Sequence, residues 1–152
     1  MALRTIIFRG KRKDNGEWVE GYYAGYSLIC PSEPEDTYNA TGDYYGMTPY
    51  VGFVEVDPET VGQYTGLTDK KGNKIFEGDI IKITWVARER EPVSHVASVT
   101  YRKSGFFTDK DGRLKGQLSN YICDDPQMTT EGIFVEVIGT IHDNPELLKD
   151  GE

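Results

Sequence analysis

The chain is poor in the residue types on which most catalytic and metal chemistry depends. Its two cysteines, Cys30 and Cys123, lie far apart and match no metal-ligand spacing. They are expected as reduced thiols in a reducing compartment. His95 and His142 are the sole histidines. No apolar run approaches the roughly 20 residues that cross a bilayer. The apolar stretch between Arg4 and Arg9 is too short for a signal-peptide core. These absences predict a soluble, cytoplasmic protein with no membrane partner. Positive charge is also scarce. Seventeen Lys and Arg face 25 Asp and Glu, for a net charge of -8. That balance opposes broad, non-specific binding to nucleic acid, which depends on neutralising phosphates, and leaves room only for a local basic patch. There is no Gly-x-Ser-x-Gly elbow, Walker loop or dinucleotide fingerprint. No cofactor, metal site or catalytic residue is expected.

Turns and aromatic residues are plentiful. The 152 residues include 17 glycines, seven prolines, ten tyrosines, six phenylalanines and two tryptophans. The aromatics argue against wholesale disorder, even with a mean hydropathy of -0.53. Many turns between short apolar runs predict a mainly β fold (β-rich α+β at most) of short antiparallel strands and hairpins. Residues 1–64 are expected to form an N-terminal β-rich part with a long polar loop over 31–46. Residues 65–152 are expected to form a C-terminal part resembling an SH3-like barrel. The two are expected to make one compact unit.

Along the chain, Arg4 to Lys11 reads as a strand with Ile6 and Phe8 on one face and Ile7 on the other. Asp14-Asn15-Gly16 is a turn signal, since Asn and Gly tolerate positive φ. Trp18 to Cys30 continues as a strand interrupted at Gly21 and Gly25, positions that suggest a bulge, a bend or close backbone approach. Tyr50 to Val56 resumes the strand pattern, and Asp57-Pro58 turns the chain. Asp69 to Asn73 has turn chemistry, with Gly72 able to supply a left-handed residue. A second turn falls at Glu77-Gly78-Asp79. Ile81, Ile83 and Trp85 then alternate with Lys82 and Thr84. Val93, His95, Ala97, Val99 and Tyr101 share the apolar face of a further strand. Leu114 to Cys123 has room for one or two short strands, followed by an irregular loop over 124–132. Ile133 to Ile141 is the last strand, with a bend at Gly139. Asn144-Pro145 is expected to cap and open one short helical turn.

Three segments resemble the YopX family of small proteins encoded by bacteriophages and prophages. The first is Phe8-Arg9-Gly10 with Gly16, Trp18, Glu20 and Gly21. The second is Thr60 to Leu67, continuing through Asp69, Gly72 and Ile75 to Glu77-Gly78-Asp79-Ile80. The third is Ile138 to Leu148. They span nearly the whole chain in order. Two positions depart from the family pattern: Thr140 stands where Asn is usual, and Gly10 where Ala is usual. The resemblance implies a phage or prophage origin and a β-rich fold, and it implies no reaction. Its motif residues, Thr65, Gly66, Leu67, Asp69, Gly72, Glu77, Gly78, Asp79, Asn144 and Pro145, are read as turn and structural positions.

Candidate chemistry is thin. Asp109 to Gly112 suggests a calcium loop, but an EF-hand with its glycine at Gly112 would begin at Phe107 and end at Leu118, neither of which supplies the needed oxygen. The segment is therefore read as a turn. A catalytic pair of histidines would need His95 and His142 to converge. Arg9, Lys11 and Arg12 precede a turn followed by aromatics, and Tyr44, Tyr45 and Tyr50 follow the polar loop. These six are the candidate interaction surface. The leading expectation is a non-enzymatic accessory protein acting through contacts with host or phage proteins and through self-association as a homo-oligomer. The alternative is a nucleic-acid-binding module, and a small hydrolase is the third reading.

Overall fold

The computed structural model describes residues 5–25, 27–31, 53–103, 105–110, 112–122 and 132–149. The long loop over 31–46, apart from Pro31, and almost all of 124–132 lie outside them. The fold is mainly β, and among the described residues its antiparallel strands are accompanied by only short 3-10 turns. Among the described residues no helix is long and apolar enough to cross a membrane. The chain divides into two compact units, Met1–Tyr64 and Thr65–Glu152.

The first unit holds β1 (Phe8–Lys11), β2 (Trp18–Gly25), β3 (Leu28–Pro31), β4 (Val54–Glu55) and the start of β5 (Gly62–Thr68). They pair antiparallel in the order β4-β3-β2-β1-β5. The Asp14-Asn15-Gly16 signal closes the β1–β2 hairpin. Gly16 sits at φ +74°, and Asn15 Oδ1 accepts the Glu17 N–H at 2.9 Å. The apolar run from Trp18 to Cys30 is two strands instead of one. Left-handed Gly25 (φ +81°) and Ser27 (φ +65°) reverse the chain between β2 and β3. Gly21 lies where a Cβ would collide with the Cys30 carbonyl, so only glycine lets β3 approach. Ile7, Ile29 and Val56 are buried, whereas Ile6 is half exposed. Gly10 packs against Val56, where an added Cβ would stand 2.9 Å from Val56 Cβ. That contact leaves no room for a side chain at position 10 without a shift of Val56.

The second unit holds the end of β5, then β6 (Lys74–Phe76), β7 (Asp79–Val86), β8 (Val93–Arg102), β9 (Gly105–Lys110), β10 (Arg113–Gln117) and β11 (Gly132–Thr140). β6 pairs with β5, and β7 to β11 form an antiparallel sheet in the order β10-β9-β8-β7-β11. Among the described residues no ladder joins β11 back to β10, so the barrel expected here is not closed by hydrogen bonds. The predicted alternation in β7 is realised: Ile81 and Ile83 are buried and Lys82 is exposed. They pack with Ile75, Val99, Leu118 and Val135 into the core of this unit, flanked by Leu67, Trp85, Phe106 and Tyr121. Each such fully buried aliphatic side chain contributes about 1.5–3 kcal/mol. Only part of the β8 apolar face is core. Ala97 and Val99 are buried, while Val93 and His95 are exposed where the strand runs past the core.

Candidate functional site

The motif from Thr65 to Asp79 is a set of backbone fasteners. Thr65 Oγ1 donates to the Ile75 carbonyl at 2.7 Å and accepts the Leu67 N–H at 3.2 Å, fixing β5 to β6 around Gly66 (φ +85°). The β5–β6 turn is organised by one carboxylate. Asp69 Oδ1 accepts the N–H groups of Lys71 and Asn73, both at 2.9 Å. Its Oδ2 accepts Asn73 Nδ2 at 3.2 Å and the Val137 N–H of β11 at 3.1 Å. Burial raises the carboxyl's proton affinity, but the donors from Val137, Asn73 and Lys71 outweigh it and hold the pKa below the ordinary value. Gly72 supplies the left-handed residue at φ +84°. Glu77 is half-buried, and Gly78 (φ +90°) donates to the Val99 carbonyl and accepts the Ile141 N–H. Buried Asp79 accepts the Phe76 N–H at 2.7 Å.

The C-terminal motif works differently from the expected cap. Pro145 opens a 3-10 turn, Pro145–Leu148, but the Asn144 side chain makes no capping bond to it. Asn144 instead lies against Gly139, where the β11 register shifts, and its Oδ1 accepts the Thr140 N–H at 3.4 Å. Thr140 Oγ1 accepts the N–H groups of His142 and Asp143 at 3.2 and 3.0 Å. A threonine hydroxyl thus organises this turn.

Of the expected interaction surface, Arg9 is buried and the other two cations make local contacts. Arg9 is only 9% exposed, with its guanidinium 4.5 Å from the Trp18 ring centroid, and so belongs to the interior. Lys11 Nζ stands 5.6 Å from the same ring, and Arg12 forms an ion pair with Asp14 at 2.7 Å. Tyr44, Tyr45 and Tyr50 lie outside the described residues.

His95 and His142 do not converge. His95 faces Ile83 in the middle of β7, whereas the His142 ring lies beside Gly78, just before that strand. Five residues of extended chain separate those points by roughly 16 Å. Among the described residues no group of three or more His, Cys, Asp or Glu is placed to hold a metal.

A different constellation is built across the five-stranded sheet. A cleft of about 770 Å³ is lined by Ile83 and Trp85 of β7, His95 and Ala97 of β8, Lys110 of β9 and Arg113 and Lys115 of β10, with Thr108 and Tyr121. The register explains the gathering. His95 is opposite Ile83, and Arg113 is opposite Lys110. The β9–β10 register shifts between Leu114 and Gly116, making Lys115 an extra residue, and it joins Arg113 at the cleft. The His95 ring meets the Trp85 ring edge-on at 5.0 Å and 76°, and Tyr121 meets it at 6.1 Å and 84°. Tyr121 reaches the cleft by lying over Gly116, where a Cβ would collide with its hydroxyl. No carboxylate is among these lining residues. The sequence reading missed this site. Its signal was the cluster Lys110, Arg113, Lys115 beside a turn, which becomes meaningful only once β7 and β8 bring Trp85 and His95 alongside.

The sequence profile of the YopX protein family matches residues 7–149, nearly the whole chain. The chain belongs to the YopX family. The crystal structure of protein EF1440 from Enterococcus faecalis is similar to this YopX chain, with a TM-score of 0.51, 23% sequence identity and coverage of 96% of this chain and 99% of that one. At that identity the likeness concerns the fold alone. Among curated protein sequences none is significantly similar to this YopX protein.

Proposed function

We propose that this YopX protein is a non-catalytic binding module that holds single-stranded nucleic acid in the cleft of its second unit. One observation supports the reading above others. Lys110, Arg113 and Lys115 stand beside Trp85, His95 and Tyr121, with no carboxylate among the described lining residues, in a chain of net charge -8. Phosphates require cations, and unpaired bases offer flat faces to aromatic rings at about 1–3 kcal/mol per base. The acidic remainder of the chain disfavours indiscriminate binding. The test is fluorescence anisotropy with labelled oligothymidylate and oligouridylate at low salt. Saturable binding is expected, weakened tenfold or more by the double change Arg113→Gln with Lys115→Gln. Lys13→Gln, an exposed position in the first unit, is expected to leave binding unchanged. Absence of binding to both DNA and RNA at low salt would remove the proposal.

A phage or prophage origin and a cytoplasmic location go with this reading, and the genes flanking the coding sequence test the first. A second reading is self-association through the first unit. Ile6, Tyr22 and Tyr23 there are 50%, 58% and 42% exposed. Light scattering that shows a monomer at high concentration would exclude it.

A further inference from the structure

Resting on the nucleic-acid reading, we infer that the cleft takes a short single-stranded stretch of about two to three nucleotides, with one base on Trp85 and its neighbouring phosphates on β10, and that no continuous strand tracks across the sheet. Three observations set that length. The cleft volume of about 770 Å³ falls within the range of roughly 300–1,000 Å³ typical of small-ligand sites. The cations are confined to one strand pair: Lys110 and Arg113 face each other, and Lys115 follows two residues on. That spacing covers about 7 Å of strand, enough for adjacent phosphates and too little for a track. The aromatic part has one platform. His95 and Tyr121 both stand steeply inclined to the Trp85 indole, at 76° and 84°, so the three rings do not form a row of parallel faces. Modules that bind long strands instead set successive bases on several rings along a basic groove.

The inference is tested with a length series, from a single 5′-phosphorylated thymidylate up to a dodecamer, by anisotropy and calorimetry at several salt concentrations. Affinity is expected to rise steeply to the trimer and then to change less than about twofold per site. For two to three phosphate contacts the slope of log affinity against log salt is expected near -1.4 to -2, and each of Arg113→Gln and Lys115→Gln is expected to reduce it by about 0.7. Circular dichroism confirms that the variants are folded. Affinity that climbs steadily from trimer to dodecamer, or a slope beyond about -4, overturns the short site while leaving nucleic-acid binding in place. No binding at any length overturns both.

Discussion

Asp69 Oδ2 accepts the backbone N–H of Val137 at 3.1 Å across 68 positions of sequence. The same carboxylate carries three donors of its own turn. Replacing it with alanine strands four donors in a site where Asp69 is 7% exposed. Loss of such bonds to a charged acceptor is expected to cost about 1.5–3 kcal/mol, more than a surface substitution. Denaturant unfolding of Asp69→Ala against Lys82→Ala, an exposed β7 position, measures the difference. Equal midpoints would contradict the role given to the carboxylate.

The lowered Asp69 pKa fixes the sign of a pH effect. A carboxyl whose folded pKa lies below its ordinary 3.8 contributes stability that is full above that value and is lost as pH falls through the folded pKa. Below about pH 4 the wild type is therefore expected to lose stability more steeply than Asp69→Asn, so that their unfolding curves approach each other in acid. A gap that stays constant with pH would place the lost stability elsewhere.

Gly116→Ala separates aromatic from ionic recognition. The new methyl group would meet the Tyr121 ring, with Cζ 3.1 Å from the Cβ position, and displace it from the cleft while leaving Arg113 and Lys115 in place. Oligonucleotide affinity is expected to fall severalfold with little change in salt slope, because stacking is lost and phosphate contacts are kept. A changed slope with unchanged affinity would mean that Tyr121 is not part of recognition.

Gly78→Ala tests the second motif turn. Its φ of +90° is unfavourable to any side chain, and the added Cβ would sit 3.5 Å from His142 Nε2. The expected cost is about 1–2 kcal/mol. Gly16→Ala, at φ +74° with open space around it, carries the conformational cost alone and serves as the reference. If the two variants are equally stable, the His142 contact is immaterial.

What was legible in the sequence is what short-range chemistry decides. The Asn15-Gly16 turn, the Asp69–Asn73 turn and the alternation of Ile81, Ile83 and Lys82 depend on neighbours within a few residues. The reversal at Gly25–Ser27 was less legible, because Ser27 adopts a left-handed conformation that serine seldom takes. Asn144 holds the expected N-cap position before Pro145, but the capping bond is absent because a bulge at Gly139 draws its side chain back to β11. Arg9 was misread because a stacked guanidinium is buried at a position where charge suggests surface. The cleft was illegible for a different reason. Trp85, His95, Arg113 and Tyr121 become neighbours through strand register and one extra residue in β10, and neither is encoded in local pattern.

The Asp69 turn also covers part of a sheet edge. β11 ends its sheet, and an uncovered terminal strand offers free N–H and C=O groups as a template for a foreign chain. Here the turn has taken two of those groups, since Lys70 donates to the Val135 carbonyl and the Val137 N–H is bound by the carboxylate. Of the two bonds, the one at Val137 ends on an ionised side chain and is therefore acid-labile, whereas the backbone bond at Val135 is not. Acid is therefore expected to loosen the cover at Val137 first and leave that stretch of β11 open to pairing with another strand.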